Sequence, residues 1–116
     1  MIETMDTNVG LLMAKLDELG IADNTLIMFL SDNGGCTEEP GGRDDTQQPG
    51  IVSTYTAVGP SWGWAQNTPF RRYKSWVNEG GISTPLIAHW PKGIVAKGEL
   101  RTQPGHLIDI ARSEEH

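Results

Sequence analysis

Between Thr25 and Leu30 the chain runs through Leu26-Ile27-Met28-Phe29, then halts at Ser31-Asp32-Asn33-Gly34-Gly35. A continuous apolar run, as opposed to an alternating one, predicts a central strand over about 25–30, covered on both faces. In front of it Met5, Val9, Leu12, Leu16 and Leu19 recur at steps of four and three. That stripe predicts a helix over about 3–19. Gly20 follows in the C′ position, with Ile21 placed to pack back on the last turn. Gly10 inside the stripe costs ~1 kcal/mol relative to Ala, so a close-packing contact is expected there. The segment already runs helically within a few residues of Met1, as if its N-terminal end were cut and not capped. Helix, short turn, buried strand and polar strand end make an α/β unit, and in such sheets ligands bind outside the carboxyl ends of the strands.

The remainder is rich in loop. Gly at 14 of 116 residues, about 12%, exceeds the usual ~7%, and seven Pro join it. A long loop is expected over about 36–68, a stretch with little periodicity, in which Trp62 and Trp64 either anchor the loop or line a pocket. Loops of this length in compact domains are usually functional or disordered. Residues 70–91 form a distinct block. Tyr73, Ser75 and Val77 alternate as a short strand would, although Phe70, Tyr73, Trp76 and Val77 also fit one or two helical turns; strands are preferred. Gly80-Gly81 marks a tight turn or a close backbone approach. Leu86 to Trp90, between Pro85 and Pro91, reads as a second short buried strand. Lys92 to Gln103 is polar loop, and a further helix is expected over about 106–112.

Several function classes drop out. A net charge of −6 argues against nucleic-acid binding, which normally needs a basic face. No run of ~18 apolar residues predicts a transmembrane helix, and no signal-peptide pattern opens the chain. Cys36 is alone, so no internal disulfide framework exists.

Asp32 and Asn33, at a strand's carboxyl end, offer a carboxylate and an amide oxygen, donors suited to Ca²⁺ or Mg²⁺. The plainer reading is an Asx-type turn closing the strand, and two donors do not complete a site of six or more. Lys74, followed by Glu79-Gly80-Gly81, is either a point charge for an oxyanion or a surface lysine. Arg71 and Arg72 are two more cations nearby, read as solvated charges in preference to a substrate contact by one of them. His89 lies mid-strand as a structural histidine, whereas His106, just ahead of a helix, is a candidate substrate contact. Cys36 is read as a passive loop thiol, because Glu38, Glu39, Asp44 and Asp45 dilute any positive environment that would lower its pKa.

In this order the signals are specific. The run Asp23 to Gly35, with Ser31-Asp32-Asn33-Gly34 at its end, resembles the "SDNG" segment of type I sulfatases. Phe70-Arg71-Arg72-Tyr73-Lys74, Glu79-Gly80-Gly81-Ile82, Thr84-Pro85-Leu86-Ile87 and Trp90-Pro91 resemble that family's "K….EGGIR.P.i..wP" block. Asp6, Val9, Gly10, Leu16 and Gly20 match its "D..vG.ll..L..lG" helix, so the likeness covers nearly all of residues 3–111. The resemblance implies an α/β fold, part of an alkaline-phosphatase-like mixed-sheet sandwich that is incomplete in this chain. It implies a sulfuric ester hydrolase that cleaves aryl or carbohydrate sulfates with a formylglycine nucleophile beside a divalent metal, Ca²⁺ in preference to Mg²⁺. Asp32 and Asn33 would be metal ligands, Asn33 also touching the substrate, and Lys74 would bind sulfate near the leaving-group oxygen. A periplasmic or secreted location follows by the same likeness.

The departures are as telling. Formylglycine formation in this family needs Cys/Ser-x-Pro-x-Arg, yet Cys36 is followed by Thr37-Glu38-Glu39-Pro40. Cys36 is therefore not the nucleophile, and the formylglycine is expected outside this chain. Ser83 stands where many members carry Arg. Residues 1–116 are expected to be a fragment of the later catalytic domain, with the rest of that domain missing and with no activity alone. The alternatives are a non-catalytic remnant or binding module, and a phosphomonoesterase or phosphonate hydrolase of the same superfamily.

Overall fold

The computed structural model describes residues 2–38, 46 and 57–113. Helices and a small sheet make up its regular structure, an α/β composition. It divides into two compact units, Met1–Phe29 with Leu86–His116, and Leu30–Pro85.

The first unit opens with helix α1, Ile2–Glu18. Its end follows from the sequence: Gly20 takes φ 68°, a conformation open to glycine at little steric cost. Gly20 N–H then bonds the Asp17 carbonyl at 2.9 Å and Ile21 N–H the Leu16 carbonyl at 3.1 Å, the paired bonds of a Schellman cap. A 3-10 turn at Ala22–Asn24 leads into strand β1, Ile27–Leu30, whose last residue opens the second unit. Strand β2, Leu86–His89, pairs with β1 in a two-stranded sheet. The Asp23 carbonyl accepts a bond from Lys92 N–H at 2.9 Å.

Several expectations fail here for one reason: among the described residues of this unit nothing covers the apolar side chains of α1 or of the sheet. Along the α1 stripe only Val9 and Leu16 are half-buried, while Met5, Leu12 and Leu19 stay exposed. β1 is half-buried with Phe29 exposed, not covered on both faces, and every residue of β2 is exposed, His89 included. A Cβ on Gly10 would meet nothing within 4 Å, so the expected close-packing contact is absent.

The second unit holds helix α2, Gly59–Gln66, inside the stretch expected to be loop. Gly59 takes φ 73° and Pro60 stands in the first turn, where its missing N–H costs nothing. No strand forms at Tyr73–Val77. Trp76 N–H closes a turn on the Tyr73 carbonyl at 3.2 Å, with Ser75 at φ 77° in its third position. A positive φ there is what a type II turn demands, and it breaks the alternation that suggested a strand. The one-turn helix α3, Glu79–Ile82, follows. In the first unit again, helix α4 spans Leu107–Ser113.

The buried positions among the described residues are Gly34, Gly59, Gly63, Gly80 and Gly81. All lie in the second unit, so its interior is made by backbone and not by side chains.

Candidate functional site

Asp32 and Asn33 follow directly on β1, and Gly34 behind them is locked in place. Its N–H bonds the Gly81 carbonyl at 3.0 Å, and a Cβ on it would fall on the Gly80 carbonyl oxygen. Gly80 N–H in turn bonds the Arg71 carbonyl at 2.9 Å. A Cβ on Gly80 would strike the Arg72 carbonyl, and one on Gly81 the Trp76 carbonyl. Lys74 N–H bonds the Gly35 carbonyl at 3.1 Å. The Gly-Gly pairs thus sit where three backbone segments cross, and this crossing ties the Asp32–Asn33 turn to the loop that carries Lys74.

Asn67 supplies a second tie that the sequence reading missed. Its Oδ1 accepts from Gly35 N–H at 2.9 Å while its Nδ2 donates to the Gly63 carbonyl of α2. No sequence signal pointed to it, because the helix that Asn67 closes lies in the stretch expected to be loop. Asn33, Gly35, Cys36, Asn67 and Thr84 line a shallow cleft beside this crossing. Thr84 Oγ1 donates to the Ser31 carbonyl at 2.7 Å, and Ser31 Oγ to the Asn33 carbonyl at 2.9 Å.

Among the described residues the Asp32 carboxylate and the Asn33 amide make no hydrogen bond, so the Asx-turn alternative does not use them. Their oxygens are hard donors of the kind Ca²⁺ and Mg²⁺ take. Among the described residues no group of three His, Cys, Asp or Glu side chains converges. The donor chemistry suits a hard divalent cation, and two donors are fewer than the six or more oxygens such an ion as Ca²⁺ takes.

Lys74 is not a free surface lysine. Its Nζ lies 2.9 Å from Glu38 Oε2. That hydrogen bond, followed by the electrostatic influence of Cys36, Glu38 and Asp32, holds the ammonium above the ordinary lysine range. Asp32 and Lys74 therefore share one electrostatic neighbourhood. Glu38 is held below the usual carboxylate range, first by the Lys74 bond, then by Cys36 and Ser75. In the sequence Glu38 is one of several acids near Cys36, and Ser75 one member of an alternation; neither is tied to Lys74 there. Ser75 Oγ reaches Glu38 Oε1 at 3.2 Å. Cys36 is a free, exposed thiol whose Sγ is 3.5 Å from Glu38 Oε2.

Arg72 departs from the solvated role expected of it. Its guanidinium carbon lies 4.1 Å from the centre of the Trp76 ring and 5.8 Å from that of Trp64, within cation–π range. Trp64 thereby anchors α2 to the Lys74 loop while remaining exposed, and Trp62 is more exposed still. Arg71 is exposed, and its carbonyl is the group used in the crossing. His106 belongs to the first unit and immediately precedes α4. Its Nδ1 accepts from Ile108 N–H at 3.2 Å, and its own N–H donates to Asp109 Oδ2 at 3.0 Å. That reciprocal pair is the geometry of a capping box.

Comparison with known proteins gives this arrangement its context. The sulfatase family model matches residues 1–113. Steryl-sulfatase of Mus musculus is 35% identical over 109 residues, covering 94% of this chain and 15% of that protein. Arylsulfatase of Klebsiella aerogenes is 29% identical over 123 residues, covering 96% of this chain and 26% of that protein. N-acetylgalactosamine-6-sulfatase of Mus musculus is 32% identical over 109 residues, 94% of this chain and 17% of that protein. The chain thus spans from 15% to 26% of the length of these relatives. With the family model matching nearly end to end, the chain belongs to the sulfatase family.

Proposed function

We propose that residues 1–116 carry part of the active site of an enzyme that hydrolyses sulfate monoesters, within an alkaline-phosphatase-like α/β domain. The observation that supports this most directly is the glycine crossing, which ties the Asp32–Asn33 turn to Lys74 through backbone contacts alone. Asp32 and Asn33 would hold a divalent cation, Ca²⁺ by family likeness. Such an ion supplies Lewis-acid stabilisation of charge on the transferring oxygens. Asn33, beside it, would orient the sulfate. Lys74, kept protonated by its surroundings, would place a full positive charge against a sulfate oxygen near the leaving group, where fixed charge lowers the barrier most.

The nucleophile is proposed to be a formylglycine from a Cys/Ser-x-Pro-x-Arg motif, a pattern that none of residues 1–116 supplies. Parallel assays of the full-length protein on an aryl sulfate and an aryl phosphate test the reaction class. Turnover of the sulfate, lost on Lys74→Ala, is expected. Preference for the phosphate would instead favour a phosphomonoesterase. Failure of both, with a bound divalent cation, would make the protein a binding module. An upstream coding sequence without the motif would sink the formylglycine reading. The 116-residue chain alone is expected to be inactive; turnover by it that disappears in Asp32→Ala would refute that.

A further inference from the structure

Glu38 has no place in the sulfatase reading above, yet it is the group that Lys74 touches. Its carboxylate is spanned by two consecutive residues: Lys74 Nζ bonds Oε2 at 2.9 Å and Ser75 Oγ bonds Oε1 at 3.2 Å. Both oxygens of one anion are therefore met at once, each by its own donor. The Ser75 hydroxyl comes to this position because Ser75 takes φ 77° in the turn closed by Trp76. A serine in that conformation, where glycine is the default, suggests that the hydroxyl is what the position uses. The loop is fixed from below by the crossing of Gly80 and Gly81, so the donor pair does not depend on Glu38 for its backbone position.

A sulfate group offers the same motif, a pair of oxygens on one atom. We propose that Lys74 and Ser75 form a two-donor clamp for the sulfate group of the substrate, and that Glu38 is its intramolecular occupant, displaced when the substrate binds. The inference rests on the reading of Lys74 as the sulfate-binding lysine. Glu38 and Lys74 are both partly exposed, with half of the Glu38 side chain in solvent. An exposed ion pair is weak, so Glu38 can be displaced. It lowers the apparent affinity for anions by the fraction of molecules in which the clamp is closed.

The test is titration of the full chain with inorganic sulfate at constant ionic strength, followed by the Lys74 side-chain and backbone amide resonances. Glu38→Gln should bind sulfate about two- to fivefold more tightly, the span an exposed ion pair supplies. Glu99→Gln, which removes the same charge elsewhere, should bind as the parent does. Ser75→Gly keeps the backbone at positive φ and deletes the hydroxyl; it should weaken sulfate binding. Lys74→Met should abolish it. Should Lys74→Met leave sulfate affinity unchanged, the sulfate-binding reading of Lys74 fails, and this inference with it. Should Lys74→Met abolish binding while Glu38→Gln and Ser75→Gly match the parent, Lys74 stands and the clamp with its occupant is refuted. Absence of sulfate binding in both the parent and Glu38→Gln refutes it as well. Glu38→Ala provides a second route to an open clamp if Glu38→Gln perturbs the amide spectrum beyond residues near 35–38 and 74–76.

Discussion

The two units use opposite means. In Leu30–Pro85 the chain is held by backbone meeting backbone, and the buried positions are glycines. In the unit that contains α1, side chains are patterned for burial, yet Met5, Leu12, Leu19 and all of β2 remain in solvent. A glycine crossing is complete within a few loops, because each contact needs only a carbonyl, an N–H and the absence of a Cβ. An apolar stripe is complete only when another surface covers it. The local geometry around Asp32, Asn33 and Lys74 can thus be well defined in a chain whose helix still presents its apolar face to water.

The sharpest way to break this contrast is Gly80→Ala. A Cβ there runs into backbone, which cannot swing aside as a flexible side chain would. Overpacking of this kind costs about 1–3 kcal/mol. Chemical denaturation should show that loss, and amide shifts should change from Gly34 to Lys74. Next comes Asn67→Ala, which removes the bond to Gly35 N–H and the bond to the Gly63 carbonyl. At about 1 kcal/mol for each, a loss of about 2 kcal/mol is expected, together with faster exchange of the Gly35 amide. In the other unit Gly10→Ala should do the reverse. With open space around the new methyl, helix propensity favours Ala by about 1 kcal/mol, visible as higher helical content by circular dichroism. A loss instead would mean that Gly10 does face a packed surface.

The smallest effect is electrostatic. Glu38 is held low, so its contribution is present above the ordinary carboxylate range and disappears as pH falls through its lowered value. Lys74 is held high, so its share is present below the ordinary lysine range and disappears as pH rises through its raised value. The pair is therefore intact between those limits. Because both groups are partly exposed, added salt should flatten the pH dependence of stability in the parent until it matches Glu38→Gln.

Much of this was legible before any coordinates. Gly20 as a helix terminator followed from its place after the Leu16 and Leu19 stripe, and its positive φ supplies the reason. Gly80-Gly81 read as a tight turn or a close backbone approach, and the carbonyls of Arg72 and Trp76 lying where their Cβ atoms would be make it the close approach. The Tyr73–Val77 alternation misled because period two in so short a segment does not distinguish a strand from a turn, and the left-handed Ser75 decided it. Helix α2 went unseen since Gly59, Pro60 and Gly63 lower helix propensity, and its anchoring comes from elsewhere, through Asn67 and the Arg72 stack on Trp64.

By itself the sequence determined which candidate groups the chain offers: a carboxylate and an amide after an apolar run, a lysine ahead of two glycines, and no Cys/Ser-x-Pro-x-Arg motif. These are properties of composition and order, and they survive in any conformation. Only the tertiary structure decided what those groups meet. Lys74 and Glu38 lie 36 positions apart in the chain and 2.9 Å apart in space, and Gly34 meets Gly81 over a similar separation. Contacts of that range depend on which backbones can approach most closely, a question of excluded volume that one-dimensional spacing does not encode.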